Sequence, residues 1–134
     1  MSVLENITEK GHIMSVLENI TELEISDESI ERWNRRQAEY GVTKDLIKKE
    51  IGKAMIPVEI RDLFCHWLCM NVNDYAVMRE FLHDEIDICN DANLIKHGRM
   101  GVYLSAVIIV HRDFDNPIGY AEDELPDDYR QVWS

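Results

Sequence analysis

Residues 101–114 read GVYLSAVIIVHRDF. Helix or strand here decides between an all-helical domain and a mixed one. The density of β-branched residues favours a buried strand. A strand needs a partner, however, and no second stretch of similar quality offers itself. The reading adopted is a buried fifth helix, with a strand over 101–114 as the alternative.

The residues before it support a helical frame. Residues 73–96, NDYAVMREFLHDEIDICNDANLIK, carry two apolar flanks at helical spacing. Tyr75, Met78, Leu82, Ile86 and Cys89 form one, and Val77, Phe81, Ile88, Ala92 and Ile95 the other. Such a helix would lie centrally. Its remaining arc holds Glu80, Asp84, Asp87 and Asp91 at spacings of 4, 3 and 4, which on one helix make a single acidic stripe. Like charges at i,i+4 repel by about a few tenths of a kcal/mol, and acids late in a helix oppose its dipole. A stripe kept at that cost points to a basic partner.

Further toward the N-terminus the chain punctuates itself. Ser26 is placed to cap a first helix that closes at Gly41, with Ile30, Trp33 and Tyr40 inward. Thr43 caps a second, with Leu46, Ile47, Ile51, Ala54 and Met55 on its apolar side. Pro57 suits the first turn of a third, along which Ile60, Leu63, Phe64, Trp67 and Leu68 follow helical spacing. A short terminal helix from about Pro126 would return Tyr129, Val132 and Trp133 to the body. The fold class expected is therefore mostly all-α: a compact bundle of four to five helices with an acidic C-terminal segment. MSVLENITE occurs twice without drift, at 1–9 and 14–22, unlike a structural repeat. Residues 1–13 are read as an appended leader, with a duplicated strand or helix as the alternative, and 14–134 as one helical domain.

Composition narrows the function classes. A 46% apolar and 30% charged chain is that of a globular protein. Its formal charge of −12 disfavours nucleic acid or an anionic membrane as a partner of the whole surface. Cys65, Cys69 and Cys89 sit in apolar contexts without a preceding signal peptide, so reduced thiols and a cytoplasmic location are expected. No apolar run approaches the ~20 residues of a membrane span.

Charge is also uneven. Arg32 to Arg61 holds eight basic and four acidic residues, whereas Asp113 to Asp128 holds seven acidic and no basic ones. Asp123, Glu124, Asp127 and Asp128 from that second run join Glu80, Asp84, Asp87 and Asp91 as candidate partner-binding residues. Together they suggest a non-enzymatic acidic protein docking on a basic, nucleic-acid-binding protein, as an inhibitor or DNA-mimicking decoy or as an immunity-type protein. The alternative is a helix-turn-helix regulator that binds nucleic acid through the basic segment 32–61. Homo-oligomerisation through the charge asymmetry stays open.

No catalytic residue, cofactor or metal site is expected. Cys65-His66-x-x-Cys69 lacks a second ligand pair, and Glu80-x-x-His83 lacks the second copy that a di-iron bundle needs. Glycine-rich phosphate loops and nucleophile elbows are missing from the sequence.

Overall fold

A computed structural model describes residues 27–130. Five strands form one mixed sheet, and five helices surround it: α1 (Asp27–Tyr40), α2 (Lys44–Ile60), β1 (Trp67–Met70), α3 (Val72–Leu82), β2 (Asp87–Ile88), α4 (Ala92–Lys96), β3 (Arg99–Tyr103), β4 (Ala106–Val110), β5 (Ile118–Tyr120) and α5 (Asp127–Arg130). The sheet order is β2-β3-β4-β1-β5. β1 runs parallel to β4, and the other pairings are antiparallel. The domain is thus α/β, and the expected helical bundle is not formed.

Three corrections account for the difference. The expected fifth helix is a hairpin: β3 and β4 pair across a two-residue turn at Leu104-Ser105, with Tyr103 opposite Ala106. Part of the missing partner strand lay inside the ambiguous stretch itself. The expected third helix does not exist either. α2 runs on through Pro57 to Ile60, residues 63–66 are irregular, and Trp67–Met70 is a strand. The expected long helix over 73–96 is divided. α3 begins one residue after its cap Asn71, whose side chain accepts from the Asp74 N–H, and stops at Leu82. A turn, β2 and the short α4 follow.

The break after Leu82 has a physical reason. Continuing the helix would place Asp84, Asp87 and Asp91 against the negative end of its dipole. Ending it removes that cost. Asp91 instead caps α4, accepting a 2.9 Å bond from the Asn93 N–H where negative charge is favoured.

Two hydrophobic clusters lie on opposite faces of the sheet. Leu68 and Met70 of β1, with Ala106, Ile108 and Val110 of β4, pack with Trp33, Ile47, Ile51, Val58, Tyr75 and Met78 of the helices. The intervening Cys69 and Ile109 join Phe114 and Leu125, with Trp67, Val107, Tyr120 and Tyr129 half-buried around them. α5 does start just after Pro126, and its Tyr129 ring lies 4.7 Å from that of Phe114; Val132 and Trp133 fall outside the described residues. Gly119 sets the fit between sheet and helix. A Cβ there would stand 2.6 Å from the Ala54 carbonyl oxygen, so only glycine lets β5 approach α2 this closely.

Candidate protein-docking surface

The flank where α1, α3 and the first half of α2 meet is closed by polar contacts. Asp74, with no exposed side-chain surface, pairs with Arg32. Its carboxylate also accepts from Trp33 Nε1 at 2.7 Å and Asn71 Nδ2 at 2.9 Å. Asn71 Nδ2 reaches the Phe114 and Asp115 carbonyls, and Arg32 the Asp115 carbonyl and Asn116. A buried carboxylate is tolerated because donors surround it. Nearby, Arg36 pairs with Glu50 at 2.6 Å, and Lys53 meets the same carboxylate at 3.4 Å.

The expected acidic stripe is distributed over four kinds of structure. Glu80 is exposed on α3, Asp84 lies in the following turn, Asp87 is exposed on β2 and Asp91 is the cap of α4. An evenly spaced ladder on one helix does not exist, and phosphate-backbone mimicry by that ladder loses its geometric basis. Asp84 is also engaged: Lys44 meets it at 3.2 Å and Glu85 at 3.1 Å, while Lys48 meets Glu85 at 3.1 Å. Hydrogen bonds from these lysines hold both carboxyls below their usual range.

The C-terminal acids sit on an anchored segment. Leu125 is buried beneath them, and Tyr129 donates to Asp113 at 3.1 Å. Burial, and then that bond to a carboxylate, push the Tyr129 phenol up to about 12. Glu124 is internal in role, receiving Arg61 at 2.6 Å and the Ala121 N–H at 2.9 Å. Asp123, Asp127 and Asp128 are exposed and form no ion pair among the described residues.

At the far end of α2 the surface changes character. Ile56, Leu63, Phe64 and Leu104 line an open groove of about 380 Å³, with Glu59 and Asp62 also on its wall. Phe64 is 59% exposed and Leu104 64%, and Ile60, one turn after Ile56, is 75% exposed. The Phe64 ring meets His66 edge-on at 6.5 Å, and His66 meets Trp67 at 4.5 Å, a short aromatic ladder leading back to the sheet.

Backbone strain accompanies these side chains. Asp62 has φ +59°, Leu104 +47° and Ser105 +67°. A two-residue hairpin turn with both φ values positive normally takes Asn or Gly. Leucine has no local reason to be there.

This groove was missed because Ile60, Leu63 and Phe64 were assigned to the core face of a third helix. The available signal was α2 itself. With Ile47, Ile51, Met55 and Val58 facing the core, a helix continued through Pro57 leaves Ile56 and Ile60 as surplus apolar residues.

The helix-turn-helix outline is absent, since α2 runs on unbroken through Pro57 to Ile60 and the rest of the expected second helix is turn, loop and strand. Cys65 lies in that loop and Cys69 in β1, and both are buried; burial pushes both thiols up. Among the described residues no group of three or more His, Cys, Asp or Glu gathers around a common point. No helix among them is long and apolar enough to cross a membrane. Comparison with protein-family models, curated proteins and solved structures finds no match. The fold and surface define a mixed α/β domain with one closed, polar flank and one open, apolar end.

Proposed function

We propose that this is a non-enzymatic binding protein that docks on a basic protein partner and covers its working surface, as an inhibitor or immunity-type protein does. The observation that carries the reading is which charges are left over after internal pairing. Arg32, Arg36, Lys44, Lys48, Lys53 and Arg61 each meet a carboxylate of this chain. Glu59, Asp62, Glu80, Asp87, Asp123, Asp127 and Asp128 meet no cation among the described residues. The segment that is basic in sequence is therefore largely neutralised in space, while much of the acidity faces solvent. Such a field speeds encounter with a cationic surface and repels nucleic acid.

Affinity needs more than rim charge, since exposed ion pairs contribute only about 0–1 kcal/mol each. Large exposed apolar side chains supply the rest, about 1.5–3 kcal/mol for each one fully buried. The test is capture from a lysate of the source cells, eluted with rising salt. Expected is a basic protein held at low salt and released as salt rises, and held less by a variant with Asp123, Asp127 and Asp128 all changed to Lys. Recovery of nucleic acid, or retention insensitive to salt, overturns the reading.

A further inference from the structure

We infer that the groove at the end of α2 is the anchor site for the partner, and that its occupant is a short protein segment with two or three large apolar side chains flanked by lysine or arginine. The inference rests on the docking reading above and assigns it a place. Several independent features meet here. Ile56, Leu63, Phe64 and Leu104 line the groove and are exposed, and they make up four of the six large apolar side chains that are exposed among the described residues. Contiguous apolar surface rimmed by polar groups marks an interaction site. Leu104, which lines the groove, occupies a left-handed backbone position that its side chain disfavours, and sites that hold such strain tend to be functional.

Volume limits the occupant. About 380 Å³ lies near the lower bound for ligand pockets. The walls are mainly apolar side chains, so the space suits a few aliphatic or aromatic anchors. Charge then selects among apolar occupants. Glu59 and Asp62 line the groove with no cation paired to either among the described residues. The adjacent Arg61 is turned to Glu124 and the Pro57 carbonyl. A second copy of this chain would set these carboxylates against their equals. The chain's own residues 1–26 carry five glutamates against one lysine and would meet the same repulsion. A cationic flank on the incoming segment meets both carboxylates favourably.

The experiment is selection of a random 16-residue peptide library on the full chain, run in parallel on F64S and on the double variant Glu59→Lys with Asp62→Lys. Circular dichroism and thermal melts confirm that both variants are folded. Expected are enriched peptides with clustered large apolar residues beside Lys or Arg. Their affinity should fall at least tenfold on F64S, and by a similar factor on the double variant at low salt. Basic peptides that bind all three proteins equally overturn the groove assignment while leaving the acidic-docking reading standing. Apolar peptides without cationic flanks that still require Phe64 overturn the stated occupant. If nothing is enriched and the chain forms a dimer that F64S dissolves, the groove belongs to a second copy and the inference fails. If nothing is enriched and the chain stays monomeric, it fails as well.

Discussion

The two ends of α2 are finished in opposite ways. At its start Thr43 caps the helix through the Leu46 N–H, Lys44 and Lys48 reach Asp84 and Glu85, and the Arg36–Glu50 pair lies one turn further on. Charges there are spent on the fold. At its end Ile56 and Ile60 face solvent, Glu59 and Asp62 have no paired cation among the described residues, and the chain turns through a left-handed aspartate. Groups there are withheld from the fold. The difference separates residues kept for stability from residues whose presence needs a partner to explain it, and it can be attacked from either side.

The largest effect belongs to the closed flank. D74A removes the acceptor shared by Arg32, Trp33 and Asn71, taking the carboxylate from the half-buried Arg32 guanidinium and the acceptor from the buried Trp33 Nε1. It should cost about 3–5 kcal/mol in urea unfolding, the scale for breaking a buried pair. A loss under about 1 kcal/mol would mean that water replaces the carboxylate and that the flank is not closed.

The open end should respond in the other direction. Replacing Leu104 by Asn together with Ser105 by Gly puts residues suited to the turn at both positive φ positions. Stability should rise by about 1 kcal/mol, visible as a melting temperature a few degrees higher. Peptide affinity should fall at the same time. Loss of stability instead would mean that Leu104 is packed for the fold, which would erase the contrast between the ends.

The smallest effect lies in the pH dependence of the lysine cluster. Hydrogen bonds from Lys48 and Lys44 to Glu85, and from Lys44 to Asp84, lower both carboxyl pKa values in the folded state. A lowered carboxylate contributes stability that is present above its unfolded pKa of about 4 and is lost as pH falls through the folded value. Melting temperatures measured from pH 7 to pH 3 at low salt should therefore drop less steeply for K44A than for the natural chain. Identical slopes would show that these exposed pairs add nothing measurable.

The helices with strong punctuation were legible in the sequence, and the sheet was not. α1 stops before Gly41 and α2 starts after its cap Thr43, as their punctuation implies. The expected cap Ser26 lies outside the described residues, and α2 runs on past the expected boundary at Pro57. β4 is apolar on both faces because each face meets its own cluster, so the alternation that marks a strand never shows. Its partners were hidden in two ways. β3 is joined to it by Leu-Ser, a turn without the usual residues, and β1 is only four residues long inside a run that also fits a helix. The acidic stripe failed for a related reason. Spacings of 4, 3 and 4 fit one helix, but they also fit a helix end, a turn, a two-residue strand and a cap. The short helix after Pro126 that returns Tyr129 to the body was legible, whereas the groove was invisible while its residues were counted as core.

The parallel pairing of β1 with β4 has a consequence for the chain as it is made. Trp67–Met70 leaves the ribosome before both strands that flank it, Ala106–Val110 and Ile118–Tyr120. Until those residues emerge, WLCM has no neighbour on either edge, and the two sheet faces cannot close around it. A nascent chain halted between β1 and β4 would present an apolar, unpaired strand, the form most prone to join another like it. Synthesis of this protein therefore includes an interval of exposure that ends only when β4 and β5 are translated.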